Sequence, residues 1–182
     1  MIFESADRSV VRSVRQRDML NAWLRVHKRE RALPLVHQFQ PEHLNEEKPD
    51  LMYYDIRRVN DELRYLILHS GKNLEQAFGE QNGEGRFLDD VLGAARMKFI
   101  APAYEASIES RRPVYTASNV ADVGGVQVSY ERLVLPFGTN NRVQQLIVSL
   151  KMISIEGRFT TRNLMRPAGQ GPSYVVCAVI DR

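Results

Sequence analysis

The alternation of apolar and polar residues along the chain predicts an antiparallel sheet built from two units. The second unit, within residues 112–156, is the more strongly marked. It contains three aliphatic and β-branched runs with intervening turns at Gly124-Gly125 and at residues 138–141. The three runs lie at residues 112–115, 130–137 and 143–155. Runs of this kind joined across turns that contain Gly or Asn are typical of hairpins, so we expect a three-stranded meander.

The first unit is a hairpin formed by residues 51–59 and 63–68 around a polar turn at residues 60–62. A further apolar run, at residues 173–180, predicts one more strand near the C-terminus. A bare edge of this composition would be prone to aggregation, so we expect it to pair within the chain or across a dimer.

Helical periodicity appears in two longer stretches. Residues 94–111 predict a helix whose apolar face lies against the sheet, with Pro102 inside it as a kink or a starting point. Residues 10–31 predict an amphipathic helix whose apolar stripe must be buried against another surface. The stripe consists of Met19, Leu20, Trp23, Leu24 and His27. It packs either on the domain itself or on a second copy, and we take these five residues as candidates for a dimer interface.

Composition narrows the class of protein. The chain is 43% hydrophobic and 26% charged with a net charge of only +3, which describes a globular domain and does not favour nucleic acid as a partner. It contains one cysteine, Cys177, and no apolar run that approaches the roughly 18 residues of a membrane span. We therefore expect a cytoplasmic protein without a disulfide.

The order of these elements, together with several short motifs, resembles a PAS domain. The likeness is closest to the bacterial PAS_5-type subgroup, which is typically preceded by an amphipathic helix, and it covers residues 19–155. The motifs are Trp23-Leu24, residues 31–34, residues 41–44, Phe78-Gly79, residues 112–115 and residues 130–137. The resemblance implies an α+β fold: a five-stranded antiparallel sheet with helices on one face, here with the N-terminal amphipathic helix and an extra C-terminal strand. The expected divisions are residues 1–40 (helix and linker), 41–156 (PAS-like domain) and 157–182 (loop and added strand).

Motifs that would define a catalyst or a metal site are lacking in the sequence. The four histidines His27, His37, His43 and His69 show no i, i+4 pair of the kind that binds metal on a helix. We find no phosphate loop, nucleophile elbow or paired acid motif, so we expect no enzymatic activity. PAS domains that bind haem often use a histidine on the long helix, and flavin photoreceptors of this fold need a cysteine in a short helix before it. This chain has neither, which argues against both cofactors.

The resemblance places a pocket between the sheet and the longer helix, and it implies a sensor or regulatory module that is commonly dimeric. On the longer helix we expect the pocket to be lined by Met97, Ile100, Ala101 and Tyr104. These residues would face Tyr115, Val128, Tyr130 and Ile147 of the sheet, and Gln145 is a further polar candidate. His69 and Asn73 would lie at the mouth of the pocket. The same residues could equally form a closed core. The expected function is thus a sensory domain that forms a homodimer, binds a small molecule, a protein partner or both, and passes its state on by protein contact. The alternative is a structural interaction module without a ligand, and a small enzyme that uses the same cavity is a distant third.

Overall fold

A computed structural model describes residues 1–79, 82–122, 124–154, 157–162, 164 and 172–181. The predicted end of the third meander strand at Ile155, the domain boundary at residue 156 and most of the loop before the last strand lie outside the described residues.

The fold is mixed α+β, and at its centre the described residues form one sheet of seven strands in the spatial order β1-β7-β4-β5-β6-β2-β3. The strands are β1 Glu4–Ala6, β2 Leu51–Val59, β3 Glu62–Ser70, β4 Val114–Ala121, β5 Gln127–Thr139, β6 Arg142–Ser154 and β7 Ser173–Ile180. All neighbours run antiparallel except β1 and β7, which are parallel. The predicted hairpin, meander and C-terminal strand are confirmed, and the last strand pairs within the chain along β4.

Two hairpins turn at residue pairs with left-handed backbone. Asn60 and Asp61 join β2 to β3 with φ of 50° and 66°, and Asn140 and Asn141 join β5 to β6 with φ of 48° and 58°. Positive φ at both central residues defines the tight turn whose twist matches the flanking strands, and Asn and Asp tolerate it. These turns fix the register of both hairpins.

The sheet contains one strand more than the resemblance and the C-terminal run together predicted. Residues Glu4–Ala6 pair in parallel with Ala178–Ile180, and Asp181 donates its amide to the Ala6 carbonyl at 2.7 Å. A strand of three residues is too short to show alternation, so its sequence carried no strand signal.

In the part of the chain that the structure describes, five α-helices cover the sheet: α1 Val14–Glu30, α2 Leu44–Glu47, α3 Lys72–Phe78, α4 Leu88–Leu92 and α5 Ala94–Ser110. The first helix begins at Val14 rather than at residue 10, because the Ser13 side chain accepts the Gln16 amide and caps the N-terminus. Arg31 ends it in a left-handed conformation, with φ of 52°. Among the described residues, no helix is both long and apolar enough to cross a membrane.

The stripe of α1 packs against the sheet of its own chain. Met19, Leu20 and Trp23 are at most 1% exposed, and the Trp23 indole donates to the Pro136 carbonyl at 2.7 Å. Leu24 is half-buried against the same core, while the His27 ring stacks on Trp23 at 4.8 Å. The prediction of a dimer interface is therefore wrong for Met19, Leu20 and Trp23, because the sheet already buries these side chains within one chain.

Candidate functional site

The candidate site is a small cavity between the sheet and helices α3, α4 and α5, on the face opposite α1. Its volume is about 30 Å³. It is lined by Met52, Tyr54, Ile67, Ser70, Leu74, Glu75, Phe78, Gly83, Leu88, Val91, Leu92, Ile100, Tyr104, Tyr130, Arg132 and Leu150. Most of these side chains are apolar, and the polar ones are concentrated on β2, β5 and α5. Such a combination of an apolar wall with a few converging polar groups is typical of small-molecule sites.

Three tyrosines from three elements meet beside the cavity. The ring centroid of Tyr104 lies 5.4 Å from that of Tyr54 and 5.2 Å from that of Tyr65. The Tyr104 hydroxyl donates to the Tyr54 hydroxyl at 3.3 Å, whereas the buried Tyr65 hydroxyl has no hydrogen-bond partner. A buried hydroxyl without a partner is uncommon in folded proteins, since its desolvation is not compensated.

Arg132 brings a positive charge into the same wall. The residue is 2% exposed, and its Nε and Nη1 atoms have no hydrogen-bond partner. Its Cζ atom lies 5.4 Å from the centroid of the Tyr130 ring, and the buried Tyr130 hydroxyl is likewise unpaired. No ion pair joins Arg132 to an acid in the part of the chain that the structure describes. Arg132 is therefore a buried cation that lines the cavity, lies next to the Tyr130 ring and has no acidic partner among the described residues.

The tyrosines around Arg132 are neutral phenols. Burial raises the pKa of Tyr130 to about 12, although the positive charge of Arg132 opposes the shift. Burial also raises the pKa of Tyr104 and raises that of Tyr54 well above its ordinary value. Near neutral pH these groups donate hydrogen bonds but supply no negative charge to balance the guanidinium.

A second cation, the partly buried Lys151, has the acidic partners that Arg132 lacks. It lies on β6 on the α1 face, and its Nζ atom contacts Glu47 Oε2 at 2.5 Å and Asp50 Oδ2 at 2.6 Å. Arg15 of α1 lies 3.7 Å from Glu47. These contacts hold the segment before β2 against the sheet and α1.

Three of the predicted pocket residues do line the cavity: Ile100, Tyr104 and Tyr130. Met97 and Ala101 are half-buried on α5 but do not reach the cavity wall, and Val128 is buried farther along β5, beyond the cavity.

Tyr115, Ile147 and Gln145 lie on the opposite face of the sheet, so the prediction that they face α5 is wrong. The Tyr115 hydroxyl accepts the Arg12 amide at 3.4 Å, next to α1. Ile147 and Gln145 pair with Tyr53 and Asp55, the two neighbours of the cavity residue Tyr54. Successive side chains of a strand alternate between faces, which places both on the far side.

The residues predicted at the mouth also point elsewhere, displaced by one position from residues that do reach the cavity. His69 contacts the Lys48 carbonyl at 3.1 Å through Nε2 and packs its ring against Tyr53 at 5.3 Å. Asn73 donates to Asp50 Oδ1 at 2.7 Å. Their neighbours Ser70 and Leu74 line the cavity instead.

Sequence reasoning missed Arg132, Tyr54 and Tyr65, although a signal for Arg132 was present. The alternation of β5 places Tyr130, Arg132 and Val134 on one face, so an arginine falls at an inward position. By the same alternation Glu131 lies on the other face of β5. It is 2% exposed because α1 covers that face, where Gln16 donates to the Glu131 carbonyl at 3.3 Å.

Comparisons with known proteins leave the family open. No family model matches the chain, and no curated protein matches it. Among solved structures, the chain is similar to one described as "VqmA bound to DPO", with 13% sequence identity and a TM-score of 0.41. The match covers 56% of this chain and 52% of that one, so it spans about half the length of each.

Proposed function

We propose that this protein is a PAS-like sensory or regulatory domain that binds a small molecule in the cavity beside Arg132. The chain order supports the assignment: a hairpin, short helices, one longer helix and a three-stranded meander, with the added strands β1 and β7 continuing the sheet beyond β4. The resemblance implied a pocket between the sheet and the long helix, and the cavity lies there. In this proposal β3, β2, β6, β5 and β4 form the PAS-like unit.

The observation that carries the proposal is the set of buried polar groups without partners that converge on the cavity. These are the hydroxyl of Tyr130 and two nitrogens of Arg132, and both residues line the cavity. Natural cores pair almost all such groups, since an unpaired one costs about 1–3 kcal/mol. Three such atoms in one place are accounted for if a ligand supplies their hydrogen-bond partners.

A sensor must transmit the state of its pocket to the surface, and the edge strand β3 offers a route. Ile67 lines the cavity, while the next residue, Leu68, is 46% exposed on the outside. A register shift in the pairing of β2 with β3 lies at this point. We propose that occupancy of the cavity alters β3 and that a protein partner or a second copy detects the change by contact in the cytoplasm.

A structural interaction module with a filled core is the second candidate, and the small size of the cavity favours it. A volume of about 30 Å³ is far below the roughly 300 Å³ of a pocket for a drug-sized ligand. On this account Arg132 and the tyrosines would be a stability cost without a function. Neither candidate assigns catalysis to the protein.

The two candidate functions predict different effects of unfolding and refolding on the melting temperature, because unfolding would release a bound ligand. Protein purified under native conditions would be compared in thermal melts with the same protein unfolded, dialysed and refolded. A bound ligand predicts a lower melting temperature after refolding, restored by returning the small-molecule fraction, because a ligand stabilises only the folded state. Val91→Trp, which fills the cavity from the half-buried helix α4, is the matched variant and should melt identically in both preparations. Identical melts of the wild type would favour the filled core.

A further inference from the structure

The chemistry of the cavity restricts the class of ligand beyond the proposed function on which this inference rests. The first restriction is charge. Arg132 is fully ionised at any physiological pH, and the described residues give it no acidic partner. Glu75 also lines the cavity but is half-buried and forms no ion pair with Arg132. A ligand with one negative charge would neutralise the site, whereas a dianion such as phosphate would leave an excess charge buried.

The second restriction is the geometry of the donors. The guanidinium is planar and rigid, and it suits a planar anion with two acceptor oxygens. The unpaired hydroxyl of Tyr130, two residues before Arg132 on β5, adds a third donor. A carboxylate has enough lone pairs to accept from both groups.

The third restriction is size and polarity. A volume of about 30 Å³ exceeds the roughly 10–15 Å³ that one water needs, but it admits only a few heavy atoms. Most of the remaining wall is apolar and includes Leu74, Leu88 and Ile100. This part of the wall suits a short alkyl chain.

From these restrictions we propose that the cavity binds a short-chain aliphatic monocarboxylate, whose carboxylate pairs with Arg132 and whose alkyl chain packs against Leu88 and Ile100. The Tyr130 hydroxyl donates to the same carboxylate.

The test uses refolded, ligand-free full-length protein and thermal melting. The probes are sodium formate, acetate, propionate and butyrate, compared with the matching neutral amides and with sodium chloride at equal ionic strength. We expect at least one carboxylate to raise the melting temperature of the wild type, by about 5–10 °C at about 100 times its Kd, with no comparable shift from amides or chloride. Arg132→Met should lose the shift, and Arg132→Lys should retain part of it.

A second variant keeps the charge of Arg132 and reduces the size of the cavity. Ile100→Phe narrows the aliphatic end, so it should abolish the butyrate shift before the formate shift. Equal shifts with the amides or with chloride would overturn the inference while leaving a binding cavity in place. A shift that persists in Arg132→Met would overturn it by placing the site elsewhere. If no carboxylate shifts the wild type, the inference is refuted, and the native-versus-refolded comparison, which uses no added probe, decides the proposed function separately.

Discussion

Two cations on neighbouring strands, the buried Arg132 and the partly buried Lys151, should respond in opposite ways to the same substitution. Arg132 on β5 has two nitrogens without partners, and Lys151 on β6 contacts two carboxylates. Methionine is close in volume to both side chains and carries no charge. The pair Arg132→Met and Lys151→Met therefore measures whether the charge at each position is compensated.

The expected magnitudes follow from the contacts. Replacing buried ionic groups with well-packed apolar side chains can stabilise a protein by about 1–4 kcal/mol. Loss of the cation–π contact between Arg132 and Tyr130 reduces this gain by about 0.5–1 kcal/mol. Arg132→Met should thus raise the free energy of unfolding of ligand-free protein by about 1–3 kcal/mol. Lys151→Met leaves Glu47 and Asp50, whose side chains are 7% and 19% exposed, without their cation. Because the cluster is not fully buried, we expect a loss of about 2–3 kcal/mol rather than the upper end of the range for broken buried pairs.

Urea unfolding of refolded protein, followed by far-UV circular dichroism, measures both changes, and an unchanged m-value shows that the unfolded state is comparable. A loss of 2 kcal/mol or more in Arg132→Met, similar in sign and size to that of Lys151→Met, would refute the reasoning. It would mean that the charge of Arg132 is satisfied within the folded chain.

Three further predictions test the fold, two of them with a control variant. Trp23→Ala should lower the free energy of unfolding in urea by about 3–5 kcal/mol and leave any self-association of the folded protein unchanged, whereas Val14→Ala, at a residue 62% exposed on the same helix, should lower it by less than about 0.5 kcal/mol. A stable monomer from Trp23→Ala would restore a dimer role for the helix. Gly138→Ala would place a Cβ 1.9 Å from a β6 carbonyl and should lower the melting temperature strongly. Gly124→Ala should lower it much less, because its Cβ would lie 3.3 Å from the Asp122 carboxylate, which need shift by only a few tenths of an ångström. Equal melting of the two variants would contradict this packing. Hydrogen bonds from three backbone amides lower the pKa of Asp122 from its ordinary 3.8. Its contribution to the stability of the fold is therefore present above pH 3.8 and is lost as the pH falls through the lowered pKa. Asp122→Asn should remove this acid-dependent part of the unfolding profile, and an unchanged profile would contradict the prediction.

Strand periodicity predicted the sheet well because long strands carry many repeats of the pattern. The hairpin turning at Asn60-Asp61 and the meander turning at Asn140-Asn141 were readable from residues that tolerate positive φ. The three-residue strand Glu4–Ala6 lacked such a signal, and the start of α1 depended on a cap formed by Ser13. Short elements and caps depend on local hydrogen bonds that periodicity does not record.

The site was only partly predictable, because alternation defines two faces of a strand but does not say which element covers each face. Ile100, Tyr104 and Tyr130 were placed correctly, whereas Tyr115 and Ile147 were assigned to the face that α1 covers. Because both faces of these strands are buried, the usual alternation of apolar buried residues with polar exposed residues is weak. An arginine between inward aromatic and aliphatic positions was the one polar signal for the cavity, and it was overlooked.

Native mass spectrometry of wild-type protein and Arg132→Met, purified in parallel without refolding, tests the central claim most directly. The account predicts that the wild type carries a noncovalent small organic molecule, released on denaturation, and that the folded variant does not. A bare wild type, or the same bound mass on both proteins, would contradict the assignment of Arg132 as the group that holds the ligand.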